Sequence, residues 1–180
     1  MVIEPIFCLF AAGVVLVVPL PWVLGLGTAT MVHELGHFLA LKWWGIPVYR
    51  LRLTAGGVIL ETGPMTSREE AYCALAGPAA GAVLLLFAKL LPRTALCALC
   101  QTVWNLAPIG NRDGARVLRQ ILPRGVAVAE GVVMGLILLA CPLMGWPGIW
   151  LGVAVLSEKF LAKNRPRHYN RPTIDKEVRL

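Results

Sequence analysis

The sequence predicts an all-α polytopic membrane protein of about six transmembrane helices, with a short β-hairpin between the second and third. Three observations point there. Only 15% of the 180 residues are charged and 57% are hydrophobic, against about a quarter charged in ordinary soluble domains. Mean hydropathy is +0.69. Residues 5–32, 71–88, 94–111 and 131–157 carry no Asp, Glu, Lys or Arg at all, and a helix needs roughly 20 apolar residues to cross a hydrocarbon core of about 30 Å.

The first apolar run is too long for one span, and Pro19-Leu20-Pro21 divides it, because proline suits a helix's first turn and breaks its interior. Span 1 then covers residues 3–18 and span 2 residues 22–43. Glu4 stands where a cleaved signal peptide would carry positive charge, so none is expected. Alternation in "VYRLRLTAGGVILETG", with a turn at Gly56-Gly57, predicts the hairpin, followed by Gly63-Pro64. It serves either as a plain connection or as a strand edge that aligns an extended peptide. Spans 3 and 4 cover residues 69–89 and 94–109. Gly145-Trp146-Pro147 separates spans 5 and 6 within residues 125–157. Residues 1–162 form one membrane-embedded domain and residues 163–180 a basic cytoplasmic tail. All five cysteines fall in apolar segments, where disulfides are not expected; Cys97-x-x-Cys100 reads as packing rather than a redox or metal pair.

Charge orients the chain. With a cytoplasmic N-terminus, residues 42–68, 112–124 and the tail from Lys159 face the cytoplasm and hold four, four and seven Lys or Arg, whereas the far side holds only Lys89 and Arg93. This positive-inside bias puts both termini in the cytoplasm, in what is expected to be a bacterial cytoplasmic membrane. The net charge of +7 therefore reads as topology and contact with the lipid bilayer, and nucleic acid is not an expected partner.

The chemistry begins at "MVHELGHFLALKWWG". His33 and His37 are one helical turn apart and share a face, so both imidazoles can grip one metal ion. Glu34 is placed beside them. H-E-x-x-H is the zinc-protease arrangement, with the glutamate as general base. Three polar groups inside an apolar span are costly without such a purpose. A zinc hydrolase takes three protein ligands and leaves the fourth place open. Candidates for the third are Glu130 inside span 5, Glu158 at the end of span 6, and Asp113, which Gly110 and Gly114 leave free to turn back towards span 2.

Together these residues resemble the site-2 protease family of intramembrane zinc metalloproteases. The two motifs are His33-Glu-Leu-Gly-His37 and Asn105-Leu-Ala-Pro108-Ile-Gly-Asn-Arg-Asp113-Gly114, with Ala76-Gly77-Pro78 in the span between. The resemblance covers about residues 20–120 and is greatest to the stage IV sporulation protein FB branch. It implies one Zn2+ per chain on His33, His37 and Asp113, with Glu34 as catalytic base. It also implies cleavage of a membrane-associated protein precursor, such as a pro-sigma factor, with a regulatory membrane partner as a further expectation. Candidate substrate contacts are Asn105, Pro108, Gly56 and Gly57, although Asn105 can equally cap the broken end of span 4. The chain departs from the family at Arg112, where a small or apolar residue usually precedes the aspartate. The competing expectation is a zinc-binding membrane protein without proteolysis, either a metal transporter or an inactive scaffold. A transporter would show more polar residues along several spans and repeated halves.

Overall fold

The structure, a computed structural model, describes residues 2–54, 57–123 and 125–140. Its elements in chain order are β1 (Val2–Ile3), α1 (Pro5–Val17), α2 (Leu20–Trp43), β2 (Val48–Thr54), β3 (Gly57–Thr62), α3 (Ser67–Val83), α4 (Pro92–Leu106), α5 (Asp113–Ile121) and α6 (Val126–Ala140). A 3-10 turn, Leu84–Phe87, extends α3.

Local sequence explains the boundaries. Pro5 and Pro92 occupy the first turns of α1 and α4, where the missing N–H costs nothing. Pro19 caps α2 and Pro21 sits in its first turn, so the predicted division of the long apolar run falls there. A capping box opens α3: the Glu69 carboxylate accepts from the Thr66 N–H at 2.7 Å, and the Thr66 hydroxyl accepts from the Glu69 N–H at 3.4 Å.

The helices α1, α2, α3 with its 3-10 turn, α4 and α6 lie at the positions expected for spans 1 to 4 and for the described part of span 5; the rest of span 5, the sixth span, Glu158 and the basic tail lie outside the described residues. Length is less generous than expected. The 21 residues of Ser67–Phe87 are long and apolar enough to cross a membrane, whereas Pro5–Val17 and Val126–Ile137 are apolar but shorter. At 24 residues α2 reaches about 36 Å, but His33, Glu34 and His37 lower its hydropathy. Pro19 ends α1 at Val17, and Pro108 ends α4 at Leu106, three residues short of the expected boundary. The helices turn large apolar side chains outward: Leu16 is 84%, Val17 83% and Leu86 81% exposed.

The hairpin stands where it was expected, with Leu51 paired to Leu60, Leu53 to Val58 and Thr54 to Gly57. Two features were not foreseen. β1 adds a parallel third strand, Val2 against Arg52 and Ile3 against Leu53, held by an Arg52–Glu4 ion pair at 2.6 Å. The order β1-β2-β3 leaves β3 at an edge. In addition, part of what reads as a loop after span 4 is the nine-residue helix α5.

Helix α2 lies at the centre and packs against both α3 and α4. Its contact with α3 is close because Gly36 has no side chain: a Cβ there would stand 2.4 Å from the Ala76 oxygen and 2.6 Å from the Ala80 Cβ. Small residues let helices approach in this way. Arg116 and Gln120 of α5 both reach Glu70 of α3, at 3.3 and 2.7 Å, and so dock the short helix onto the longer one.

Candidate metal centre

His33 and His37 project from one face of α2, and Asp113 is the first residue of α5. The two Nε2 atoms are 3.2 Å apart, and each lies 3.3 Å from Asp113 Oδ2. His33 is 3% exposed and Asp113 8%. Zinc bonds of about 2.0–2.1 Å in a tetrahedron separate neighbouring ligand atoms by about 3.3 Å. The triangle of two nitrogens and one oxygen therefore has the edges of three tetrahedral corners, and these residues could hold a metal ion.

The backbone explains how Asp113 gets there. Pro108 disfavours helical geometry in the residue before it, and Ala107 is extended at φ −60°, ψ 135°, ending α4 at Leu106. Ile109 is fully buried, and Gly110 turns the chain at φ +60°, a conformation glycine adopts without steric cost. The Gly110 N–H donates to Glu130 of α6 at 3.4 Å, and Arg119 donates to the Gly110 carbonyl and to Asn111 Oδ1. Glu130, one of the candidate third ligands, is thus a strut for the loop that delivers Asp113.

The outer nitrogen of His37 is equally constrained. Its Nδ1 donates to the Cys73 carbonyl at 2.7 Å, which fixes the tautomer and leaves the Nε2 lone pair facing Asp113. Space for the ring comes from Gly77, where a Cβ would lie 2.2 Å from His37 Nε2. Asp113 belongs to α5, which at nine residues is too short to span. Two imidazoles and an ionised carboxylate suit zinc.

A cavity of about 960 Å3 opens onto the triangle, and Glu34, Asn105, Arg112 and Gly57 are among its lining residues. The Asn105 amide nitrogen is 3.1 Å from His33 Nε2, so this side chain reaches α2 instead of capping α4. Arg112 lays its guanidinium over Trp104, 3.8 Å from the ring centre, and donates to the Trp104 carbonyl at 3.2 Å. One edge of the sheet, β3, forms part of the wall. Cys97 and Cys100 line the cavity too, but the metal-competent group among the described residues is His33, His37 and Asp113. Pro108 lies outside the lining and shapes the loop; Gly56 is outside the described residues.

A solved structure has the same architecture. The site-2 protease from Methanocaldococcus jannaschii matches with a TM-score of 0.64 at 24% identity, over 97% of this chain and 94% of that one. The fold is shared with a site-2 protease. No protein-family pattern matches the chain, and no curated protein matches it. Within the site-2 protease fold, three contributions were not visible from side-chain types: the Cys73 carbonyl, the Glu130 strut and the Glu70 dock for α5. The Ala76-Gly77-Pro78 triplet was the available signal for the first, since a glycine and a proline inside a helix require a local reason.

Proposed function

We propose that the chain is an intramembrane zinc metalloendopeptidase that hydrolyses a peptide bond in or near the membrane segment of a membrane-associated protein precursor. The observation that carries this reading is the metal-sized triangle of His33, His37 and Asp113 at the wall of a cavity that also contains Glu34. A zinc ion in the triangle would supply Lewis acidity, activating water and polarising the scissile carbonyl. The protein's own groups do the rest. Glu34 takes one proton from the attacking water and delivers it to the amine as the carbon–nitrogen bond breaks. The amide of Asn105, which borders the same cavity, donates to the substrate backbone. The free edge of β3, with Gly57 at its start, offers backbone partners to an extended peptide. A cut site must be unwound to be attacked, and pairing with a strand supports that conformation.

The Lys and Arg distribution supports cytoplasmic termini, and the sequence resemblance favours a precursor such as a pro-sigma factor. Co-expression with candidate precursors tests the reading. Cleavage that disappears with Glu34→Gln, while zinc stays bound, supports it. Zinc bound at this triangle with no cleavage of any membrane-associated precursor would favour the non-proteolytic alternative.

A further inference from the structure

Both metal-facing histidines expose a second ring nitrogen to their surroundings, and the two are treated differently. His37 Nδ1 has the Cys73 carbonyl. His33 Nδ1 is buried and has no hydrogen-bond partner among the described residues. A buried ring N–H without an acceptor is destabilising, and metal-ligating histidines nearly always place this nitrogen against an acceptor.

A second unpartnered polar atom lies close by. The Thr102 hydroxyl of α4 is also buried and also lacks a partner among the described residues. Both atoms border the same glycine. A Cβ on Gly81 of α3 would stand 3.0 Å from Thr102 Oγ1 and 3.9 Å from His33 Nδ1. The two atoms do not bond each other directly. Two polar groups beside a missing side chain are the setting in which proteins hold an internal water. Asn105, one turn beyond Thr102 on the same helix, already contacts the other nitrogen of this ring.

We propose that Thr102 is a positioning residue for His33, acting through one water seated beside Gly81. The water accepts the Nδ1–H of His33 and donates to Thr102 Oγ1. His33 is thereby held in the Nδ1–H tautomer with its Nε2 lone pair turned to the metal centre, as the Cys73 carbonyl holds His37. Helix α4 then supports His33 through its Nδ1. The inference rests on His33 being a metal ligand.

Zinc affinity of the purified full chain in detergent, measured by competition with a chromogenic chelator, tests it without reference to proteolysis. Thr102→Val keeps the shape and removes the hydroxyl, and zinc affinity should fall about 10-fold or more, the usual effect of losing such a support. Thr102→Ser restores the hydroxyl and should remain within about threefold of the parent. Gly81→Ala displaces the water and should match Thr102→Val, whereas Gly81→Ser brings its own hydroxyl and should recover part of the loss. The double variant Thr102→Val/Gly81→Ala should be no weaker than either single one, because both remove the same water. Unchanged affinity in Thr102→Val, equal losses in Thr102→Val and Thr102→Ser, or additive losses in the double variant would each overturn the proposal. His33→Ala separates the two levels: if it binds zinc normally, the metal reading itself fails, and if it loses zinc while Thr102→Val does not, only the role of Thr102 fails.

Discussion

His37 is held by the backbone of Cys73, not by its side chain: the Nδ1-to-carbonyl distance is 2.7 Å, and the ring occupies space left by Gly77 one turn further along α3. The thiol therefore contributes nothing to this contact, whereas the glycine is required. Cys73→Ala should leave zinc affinity within about threefold of the parent, while Gly77→Ala, whose Cβ would overlap the ring, should lower it at least 10-fold. Chelator competition on both variants decides the matter. A larger loss in Cys73→Ala than in Gly77→Ala would contradict it.

Asp113 supplies the one anionic corner of the triangle. Asp113→Asn keeps the size and much of the hydrogen bonding but removes the negative charge, so zinc binding should weaken and proteolysis should fall to background in a correctly inserted protein. His33→Ala/His37→Ala should release nearly all the metal, since one ligand cannot hold what three do. Zinc content by elemental analysis measures both. Full metal occupancy in Asp113→Asn would remove α5 from the centre.

Parts of this arrangement were legible in the sequence because the chemistry sits in side chains at helical spacing. His33, Glu34 and His37 were found because four residues make about one turn. Asp113 was less accessible: spacing alone left Glu130 and Glu158 beside it, and it was singled out by resemblance to a known motif. The Cys73 carbonyl was invisible, because every residue carries one and only the fold decides which faces a histidine. α5 was missed because nine residues with polar positions at Arg116, Arg119 and Gln120 resemble a connecting loop until Glu70 gives them a dock. β1, two residues long, leaves no periodic pattern to read.

Arg112 immediately precedes the metal-competent aspartate, a position from which a cation could compete for that carboxylate. Its guanidinium instead stacks on Trp104 and bonds the carbonyl at the end of α4. Such a stack is worth about 0.5–1 kcal/mol where solvent reaches it and about 2 kcal/mol when desolvated. Arg112→Leu should retain zinc and cleavage while lowering thermal stability slightly. Loss of zinc in that variant would show that the arginine supports the centre directly.

The side chain of Glu70 is linked to the metal centre through α5, and that makes it a test of how the helix is held. Glu70→Ala removes the acceptor of both Arg116 and Gln120 and leaves a half-buried arginine unpaired, which costs more than an exposed pair would. α5 should loosen against α3, with zinc affinity reduced severalfold but not abolished. Glu70→Gln keeps one hydrogen bond and should fall between. Unchanged affinity in Glu70→Ala would mean that the contacts of Gly110 with Glu130 and Arg119 hold the loop in place without the dock on α3.

The remaining prediction concerns sidedness, which the metal centre constrains. His33 lies ten residues before the end of α2, about 15 Å along its axis, so Asp113 must return to that depth after α4 has ended. The segments after α2 and after α4 must then open on the same side of the bilayer. Both carry four Lys or Arg, and positive charge is retained on the cytoplasmic side. Reporter fusions after Leu53 and after Arg119 should both report cytoplasm, and a fusion after Pro92 should report the opposite face. The pairing of the first two results matters more than their absolute side. If Leu53 and Arg119 report opposite faces, α2 and α5 cannot meet at one metal ion in the inserted protein, and the triangle of His33, His37 and Asp113 cannot be its catalytic centre.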